Sequence, residues 1–145
     1  MVNTFCFFIG HRDAPEDIYP LLLKEVIRHG SELGVTDFIV GGRGNFDRLA
    51  SLAVREAKLR LPHIRLLLLL HYHPAEKPVD LSPGFDDTWY PEGMEKVPRR
   101  LAIVRANRMA ADAADFMIAY AKKPGSNSLK LADYAAGRGK RVTLI

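Results

Sequence analysis

The chain has 145 residues, 48% of them hydrophobic, and carries a net charge of +4. This length suits one domain with a buried core, and the longest apolar run, at 66–70, is far too short to cross a bilayer, which excludes a membrane-spanning protein. The charge suits an anionic ligand but is weaker than that of a dedicated nucleic-acid-binding protein.

The N-terminal residues "MVNTFCFFIGHRD" lack the basic region and cleavage site of a secretion signal. The single cysteine, Cys6, lies within the first apolar run, where it cannot form an internal disulfide and is typical of a small core residue. We therefore expect a cytoplasmic protein.

Short apolar runs alternate with amphipathic stretches along the chain. The predicted strands cover residues 4–9, 36–40, 64–70, 115–120 and 141–145. The predicted helices begin at Pro15, Asp47, Arg99 and Ser126, and Gly34 and Pro62 end the first two. Strands that are apolar at consecutive positions are covered on both faces. The pattern predicts an α/β domain with a mainly parallel sheet of about five strands and helices on both faces.

An insertion at about 74–98 interrupts this alternation. It contains five prolines and the stretch "FDDTWY", so we expect it to be irregular in structure. Its aromatic residues are nevertheless too apolar for a simply disordered segment. We predict that the insertion folds over a binding cleft as a lid or packs against a second copy of the chain.

Four polar segments follow predicted strands and are expected to meet at the carboxyl edge of the sheet, where ligands of such folds bind. They are "GHRD" at 10–13, "GGRGNFD" at 41–47, "HYHP" at 71–74 and "KKPGSNS" at 122–128. In the second segment, Gly41 and Gly42 let the backbone approach a phosphate at the start of a helix, and Asp47 caps that helix or binds a ribose hydroxyl. A tight turn with a capping Asp explains the same residues.

The other segments also have two interpretations each. Arg12 suits a phosphate or a stacked base, or belongs to a surface turn that caps the following helix through Asp13. Residues 126–128 form an N-cap or a second anion anchor. Arg105 and Arg108 share a helix face that points to solvent or into the cleft. His71 and His73 lack a third ligand and are interpreted as loop histidines, so no metal is expected.

Taken in this order, "FFIGHR", "VGGRGNFDRLA", "RANRMAADAADFMIAY" and the small-residue turn before the last helix resemble the SLOG superfamily, in particular its YpsA-like branch, a domain of unknown function. The resemblance covers residues 1–145 as a single domain, apart from the insertion. It implies a Rossmann-like three-layer nucleotide-binding fold. Relatives include DNA-processing protein A and the LOG-type enzymes, which release an adenine-type base from a nucleoside monophosphate.

The LOG-type catalytic motifs are incomplete in this chain. "RANRM" keeps Arg105 and Met109 but has Ala106 at the lysine position, and "PGSNSLKLADY" keeps Pro124 and Gly125 but lacks the glutamate. Cleavage of a glycosidic bond needs a carboxylate. The departure favours binding over hydrolysis, unless Asp47 or an acid of the insertion substitutes; the insertion offers Asp86, Asp87 and Glu92.

The leading prediction is a domain that binds a nucleotide or nucleotide-derived small molecule, for example as a sensor, with no cofactor and with a homodimer as an open alternative. The predicted ligand-binding residues are Gly10, His11, Arg12, Gly41, Gly42, Arg43, Gly44, Asn45, Phe46, Asp47, Arg105, Arg108, Gly125, Ser126, Asn127 and Ser128. Arg105 and Asp47 are the catalytic candidates for the alternative, a phosphoribohydrolase-type enzyme.

A further alternative is single-stranded DNA binding through the insertion. Its stacking residues would be Phe85, Trp89 and Tyr90, and Lys96, Arg99 and Arg100 would hold the backbone. Four carboxylates among those aromatics would repel phosphates, so nucleic acid is the less favoured partner.

Overall fold

A computed structural model describes residues 2–145. Its centre is a six-stranded sheet with the order β4-β3-β2-β1-β5-β6, in which every neighbouring pair is parallel. The strands are β1 Phe5–Gly10, β2 Asp37–Val40, β3 Arg65–Leu69, β4 Asp87–Trp89, β5 Phe116–Tyr120 and β6 Arg141–Leu144. The parallel α/β architecture is confirmed, with six strands rather than five.

Four helices cover the sheet: α1 Tyr19–Ser31, α2 Gly44–Ala57, α3 Ala102–Ala113 and α4 Asn127–Gly137. Side chains alternate between the two faces of each strand. Phe8 of β1 therefore packs in one core cluster with α1 and α2, while its neighbour Phe7 packs in a second cluster with α3 and α4. The result is the predicted sandwich of three layers. No helix within residues 2–145 is long and apolar enough to traverse a bilayer.

The insertion is not irregular throughout, because it supplies the sixth strand. Residues 84–90 contain no proline, so their N–H groups are free to pair with the exposed edge of β3. The N–H of Asp86 donates to the carbonyl of Leu66 at 2.9 Å, and the N–H of Leu70 donates to the carbonyl of Trp89 at 2.9 Å. Short 3-10 helices at Met94–Lys96 and Arg99–Leu101 lead on to α3.

Helix α2 begins at Gly44, three residues before the predicted start at Asp47. Asp47 lies in the first turn, and its Oδ2 accepts the N–H of Arg43 at 2.9 Å. The capping function predicted for Asp47 is therefore carried out from inside the helix, on a residue that precedes it.

The strand order creates a crevice at the carboxyl edge. The chain runs from β1 to β2, β3 and β4 on one side of β1, and then crosses to β5 and β6 on the other side. Parallel sheets of this kind leave an opening where the connections diverge, which here is at the ends of β1 and β5.

Candidate functional site

A cleft of about 630 Å³ opens at this carboxyl edge, a volume within the range of small-molecule sites. Its floor comes from the ends of β1, β2 and β3, and its wall from α3 and the first two turns of α4. The fold therefore brings residues distant in sequence into one concave surface.

The cleft is strongly cationic. Five basic side chains line it, and Asp47 is its single carboxylate. The basic residues are Arg12, Arg43, Arg100, Arg108 and Lys130. Within residues 2–145 none of the five takes part in an ion pair. Unpaired like charges in one cleft repel one another, so an anion bound there would be stabilised.

The glycine corner, residues 41–47 between β2 and the first turn of α2, packs closely against the loop that follows β1. Gly44 has a φ of +84°, and a Cβ atom at this position would lie 2.7 Å from the Cα of Arg12. The N–H of Asn45 donates to the carbonyl of Arg12 at 2.8 Å. Glycine is thus required at position 44 by both its backbone conformation and its close approach to a neighbour. This contact places Arg12 beside the corner that ends β2.

Asp47 is a buried carboxyl at the base of the cleft, only 9% exposed. Burial raises its pKa to about 7, against the opposing influence of the hydrogen bond from Arg43 and of the Arg43 charge. The bond to the Arg43 N–H is the one hydrogen bond made by this side chain in the described part of the chain. Near neutral pH the carboxyl is therefore able both to donate and to accept a proton.

His11 joins two loops instead of lining the cleft. Its buried Nε2 accepts the N–H of Lys122 at 2.8 Å and the N–H of Lys123 at 3.2 Å. An ion pair between Lys123 Nζ and Asp13, at 2.7 Å, joins the same two loops. His11 thus fixes the segment that leads into α4.

Two residues of the glycine corner, Asn45 and Phe46, also contact other parts of the fold and do not line the cleft. Asn45 Nδ2 donates to the carbonyl of Ala14 at 2.6 Å and to Glu16 at 2.8 Å. Phe46 is fully buried and packs so closely against Gly10 that a Cβ there would lie 2.3 Å from its ring. Both side chains hold the corner together from below.

Half of the predicted ligand-binding residues meet in the cleft. Those that line it are Gly10, Arg12, Gly41, Arg43, Asp47, Arg108, Asn127 and Ser128. Those that do not are His11, Gly42, Gly44, Asn45, Phe46, Arg105, Gly125 and Ser126. Arg105 is exposed on α3, and Ser126 is the N-cap of α4, where its Oγ accepts the N–H of Leu129 at 3.2 Å.

Several lining residues were not among the predicted site residues, namely His71, Arg100, Asn107, Lys130 and Tyr134. Helical spacing could have revealed some of them, since positions 103, 107 and 127, 130, 131, 134 each follow one face of a helix. Burial, together with the charges of Arg43 and Lys77, lowers the pKa of His71. His73 lies outside the lining, and residues 2–145 contain no group of three metal-ligating side chains.

The aromatic residues of the insertion pack on the body of the domain. Phe85 lies against the core beneath α1 and α2, whereas Trp89 and Tyr90 lie against the core beneath α3 and α4. The Tyr90 hydroxyl donates to Glu95 at 3.2 Å. None of residues 72–99 lines the cleft. The insertion extends the sheet edge and leaves the cleft open.

No family model and no curated protein matches the sequence. The fold resembles that of DNA processing protein A from Streptococcus pneumoniae, with a TM-score of 0.70 and 18% identity over 98% of this chain and 50% of that chain. It also resembles the molybdenum cofactor binding protein of Rippkaea orientalis, with a TM-score of 0.64 and 16% identity over 99% of this chain and 77% of that one.

A third similar structure is the Moco carrier protein of Chlamydomonas rheinhardtii, with a TM-score of 0.61 and 14% identity over 100% of this chain and 77% of that chain. This chain therefore spans half the length of the DNA processing protein and about three quarters of the two others. At such identities the likeness concerns the fold, which is Rossmann-like.

Proposed function

We propose that the protein binds an anionic small molecule, a nucleotide or a nucleotide-derived compound, in the cleft at the carboxyl edge of its sheet. The proposal is supported by the charge of the cleft, which is lined by five unpaired basic side chains and by only one carboxyl group, whose pKa is raised. Arginine binds phosphate groups through paired hydrogen bonds, and lysine binds them as a compact positive charge.

The backbone supports the same ligand class. The N-terminus of α2 reaches the cleft at its N-cap Arg43, and the N-terminus of α4 reaches it at Asn127 and Ser128, so the positive ends of two helix dipoles lie beside it. Gly41 lets a ligand approach the backbone of the corner. In this proposal Arg12 and Arg43 hold the phosphate.

The relatives are consistent with a binding role. Two of the similar structures are described as a molybdenum cofactor binding protein and a Moco carrier protein, and both are thus binders of a small molecule. We also propose that the chain is a member of the YpsA-like branch of the SLOG superfamily. As part of this proposal, the protein is cytoplasmic, acts as a ligand sensor and forms a homodimer.

Thermal-shift screening tests the proposal. Nucleoside mono- and diphosphates, cyclic nucleotides and ADP-ribose are added at millimolar concentration, and at least one is expected to raise the melting temperature, since a ligand at 100 times its Kd stabilises the fold by about 2.7 kcal/mol. Arg43→Ala should abolish the shift. Arg105→Ala, which removes the same charge from an exposed site outside the cleft, is the matched control and should retain it. No shift with any ligand would contradict the proposal.

A second candidate function is hydrolysis of the N-glycosidic bond of a nucleoside monophosphate. The buried carboxyl of Asp47 favours it, because a pKa of about 7 suits a general acid or base at neutral pH. Incubation with the common monophosphates should release free base, measured by chromatography, and Asp47→Asn should slow release by about 100-fold or more. Absence of free base, or a rate that Asp47→Asn leaves unchanged, would refute this candidate.

A further inference from the structure

The helical wall of the cleft carries apolar side chains that phosphate binding does not require. Ile103 and Leu131 are half-buried there, and Val104 is 61% exposed. Small-molecule sites combine apolar lining of this kind with a few polar or charged groups. This wall therefore suits a flat, less polar part of the ligand.

Tyr134 of α4 stands within this wall and is held in a fixed position. Its hydroxyl donates to Asp112 Oδ1 at 2.8 Å, and the guanidinium of Arg108 lies over its ring, with Cζ 4.6 Å from the ring centroid. A second guanidinium, that of Arg138, lies 5.7 Å from the same centroid. The Tyr134 hydroxyl and its ring are thus both in contact with neighbouring side chains.

The two arginines differ in their surroundings. Arg138 forms an ion pair with Asp112 at 3.4 Å and does not line the cleft. Arg108 lines the cleft, is exposed, and forms no ion pair within residues 2–145. A guanidinium is planar and stacks on aromatic rings. With Tyr134 beneath it, Arg108 has a remaining surface available to an incoming ring.

We propose that Arg108 and Tyr134 form a stacking platform for a planar heteroaromatic ring, with Val104 and Ile103 beside it, and that this ring is the base of the bound ligand. The inference rests on the proposed function, in which Arg12 and Arg43 hold the anionic end. It narrows the ligand to compounds that combine a phosphate with a planar base, and it makes Arg108 a specificity-determining residue.

Calorimetric titration with ribose 5-phosphate and the common ribonucleoside 5′-monophosphates separates the two parts of the ligand. The base is expected to increase affinity by about tenfold over ribose 5-phosphate for at least one monophosphate, as stacking of one base contributes roughly 1–3 kcal/mol. Arg108→Lys keeps the charge and removes the planar group, so it should abolish that gain and leave the affinity for ribose 5-phosphate within about twofold. Tyr134→Leu should have the same effect.

Arg138→Lys is the matched control and should change neither affinity. If ribose 5-phosphate binds as tightly as every monophosphate, the platform is refuted and the anion site stands. If Arg108→Lys weakens ribose 5-phosphate as much as the monophosphates, Arg108 holds the phosphate and the platform is also refuted. If none of these compounds binds, the platform is refuted, and the thermal-shift screen with diphosphates, cyclic nucleotides and ADP-ribose decides the proposed function separately.

Discussion

Asp47 is a residue at which burial of an ionisable group lowers the stability of the fold at neutral pH. Its ordinary pKa of 3.8 is raised to about 7 by burial, so the folded state favours the protonated carboxyl. The stabilisation linked to this proton is fully present below pH 3.8 and is lost as the pH rises toward 7. A buried ionisable group that destabilises the fold at neutral pH is typical of a functional site.

Replacing Asp47 by Asn should therefore stabilise the protein in a pH-dependent way. Asn keeps an oxygen that can accept the Arg43 N–H but never ionises. We expect the gain in free energy of unfolding to be about 2–3 kcal/mol larger at pH 8 than at pH 5, because roughly two pKa units of linkage separate these conditions. Urea unfolding of both proteins at the two pH values measures this. A gain that is the same at both would contradict the burial of an ionising carboxyl.

Gly44 and Gly34 make a matched pair for the role of the glycine corner. Both have a positive φ, +84° and +74°, but a Cβ at 34 would meet nothing within 4 Å, whereas one at 44 would lie 2.7 Å from the Cα of Arg12. We expect Gly34→Ala to cost about 1 kcal/mol from backbone strain alone. Gly44→Ala should cost about 3 kcal/mol or more and weaken ligand binding, since it moves Arg12. Equal losses in chemical denaturation would show that the close approach is unimportant.

At the scale of the elements, His11 and the exposed Lys123–Asp13 ion pair join the loop before α4 to the loop that follows β1. His11 Nε2 accepts two backbone N–H groups, those of Lys122 and Lys123. Without this acceptor both N–H groups would lose their partner in the protein, so the loop should open more often. The position of Asn127 and Ser128 at the cleft depends on this loop.

His11→Ala should consequently increase the hydrogen-exchange rates of the Lys122 and Lys123 amides, measured by NMR. His63→Ala is a suitable control because the His63 ring contacts the carbonyl of Gly30, in a different part of the fold. Exchange rates at 122 and 123 that remain as slow as in the unmodified protein would show that another group holds the loop.

The sequence predicted β1, β2, β3, β5 and β6 and all four helices, because their apolar runs and periodicity are strong local signals. It failed for β4, where the prolines that flank residues 84–90 concealed a short strand whose pairing partner lies 20 residues earlier in the chain. The predicted start of α2 was three residues too late. Gly44 and Asn45 are poor helix formers, and tertiary contacts to the loop after β1 hold them in the helix.

Dependence on tertiary contacts also explains why only part of the site could be predicted from the sequence. Sequence placed Arg12, Arg43, Asp47 and Arg108 near the edge, because loops after parallel strands converge there. It could not separate His11 and Asn45, whose polar atoms bind other loops, from residues that face the cleft. That distinction depends on side-chain direction, which only the packed structure specifies.

At the scale of the whole molecule, the insertion extends the sheet instead of covering the cleft. Trp89, the only tryptophan, lies in β4 against the core beneath α3 and α4. We expect saturating ligand to leave its fluorescence maximum unchanged, because none of residues 72–99 lines the cleft. Ligand-induced quenching would instead indicate a lid. A change with protein concentration would indicate that the exposed edge of β4 pairs with a second copy.

We propose that the positive charge of the cleft selects an anionic ligand. Calorimetry comparing each common ribonucleoside 5′-monophosphate with its uncharged nucleoside tests it most directly. The phosphate is expected to increase affinity by about 100-fold, because two or more charged hydrogen bonds depend on it, and the double variant Arg12→Ala, Arg43→Ala should lose that gain. A nucleoside that binds as tightly as its monophosphate, or a gain that survives in the double variant, would contradict the assignment of this cleft as a phosphate site.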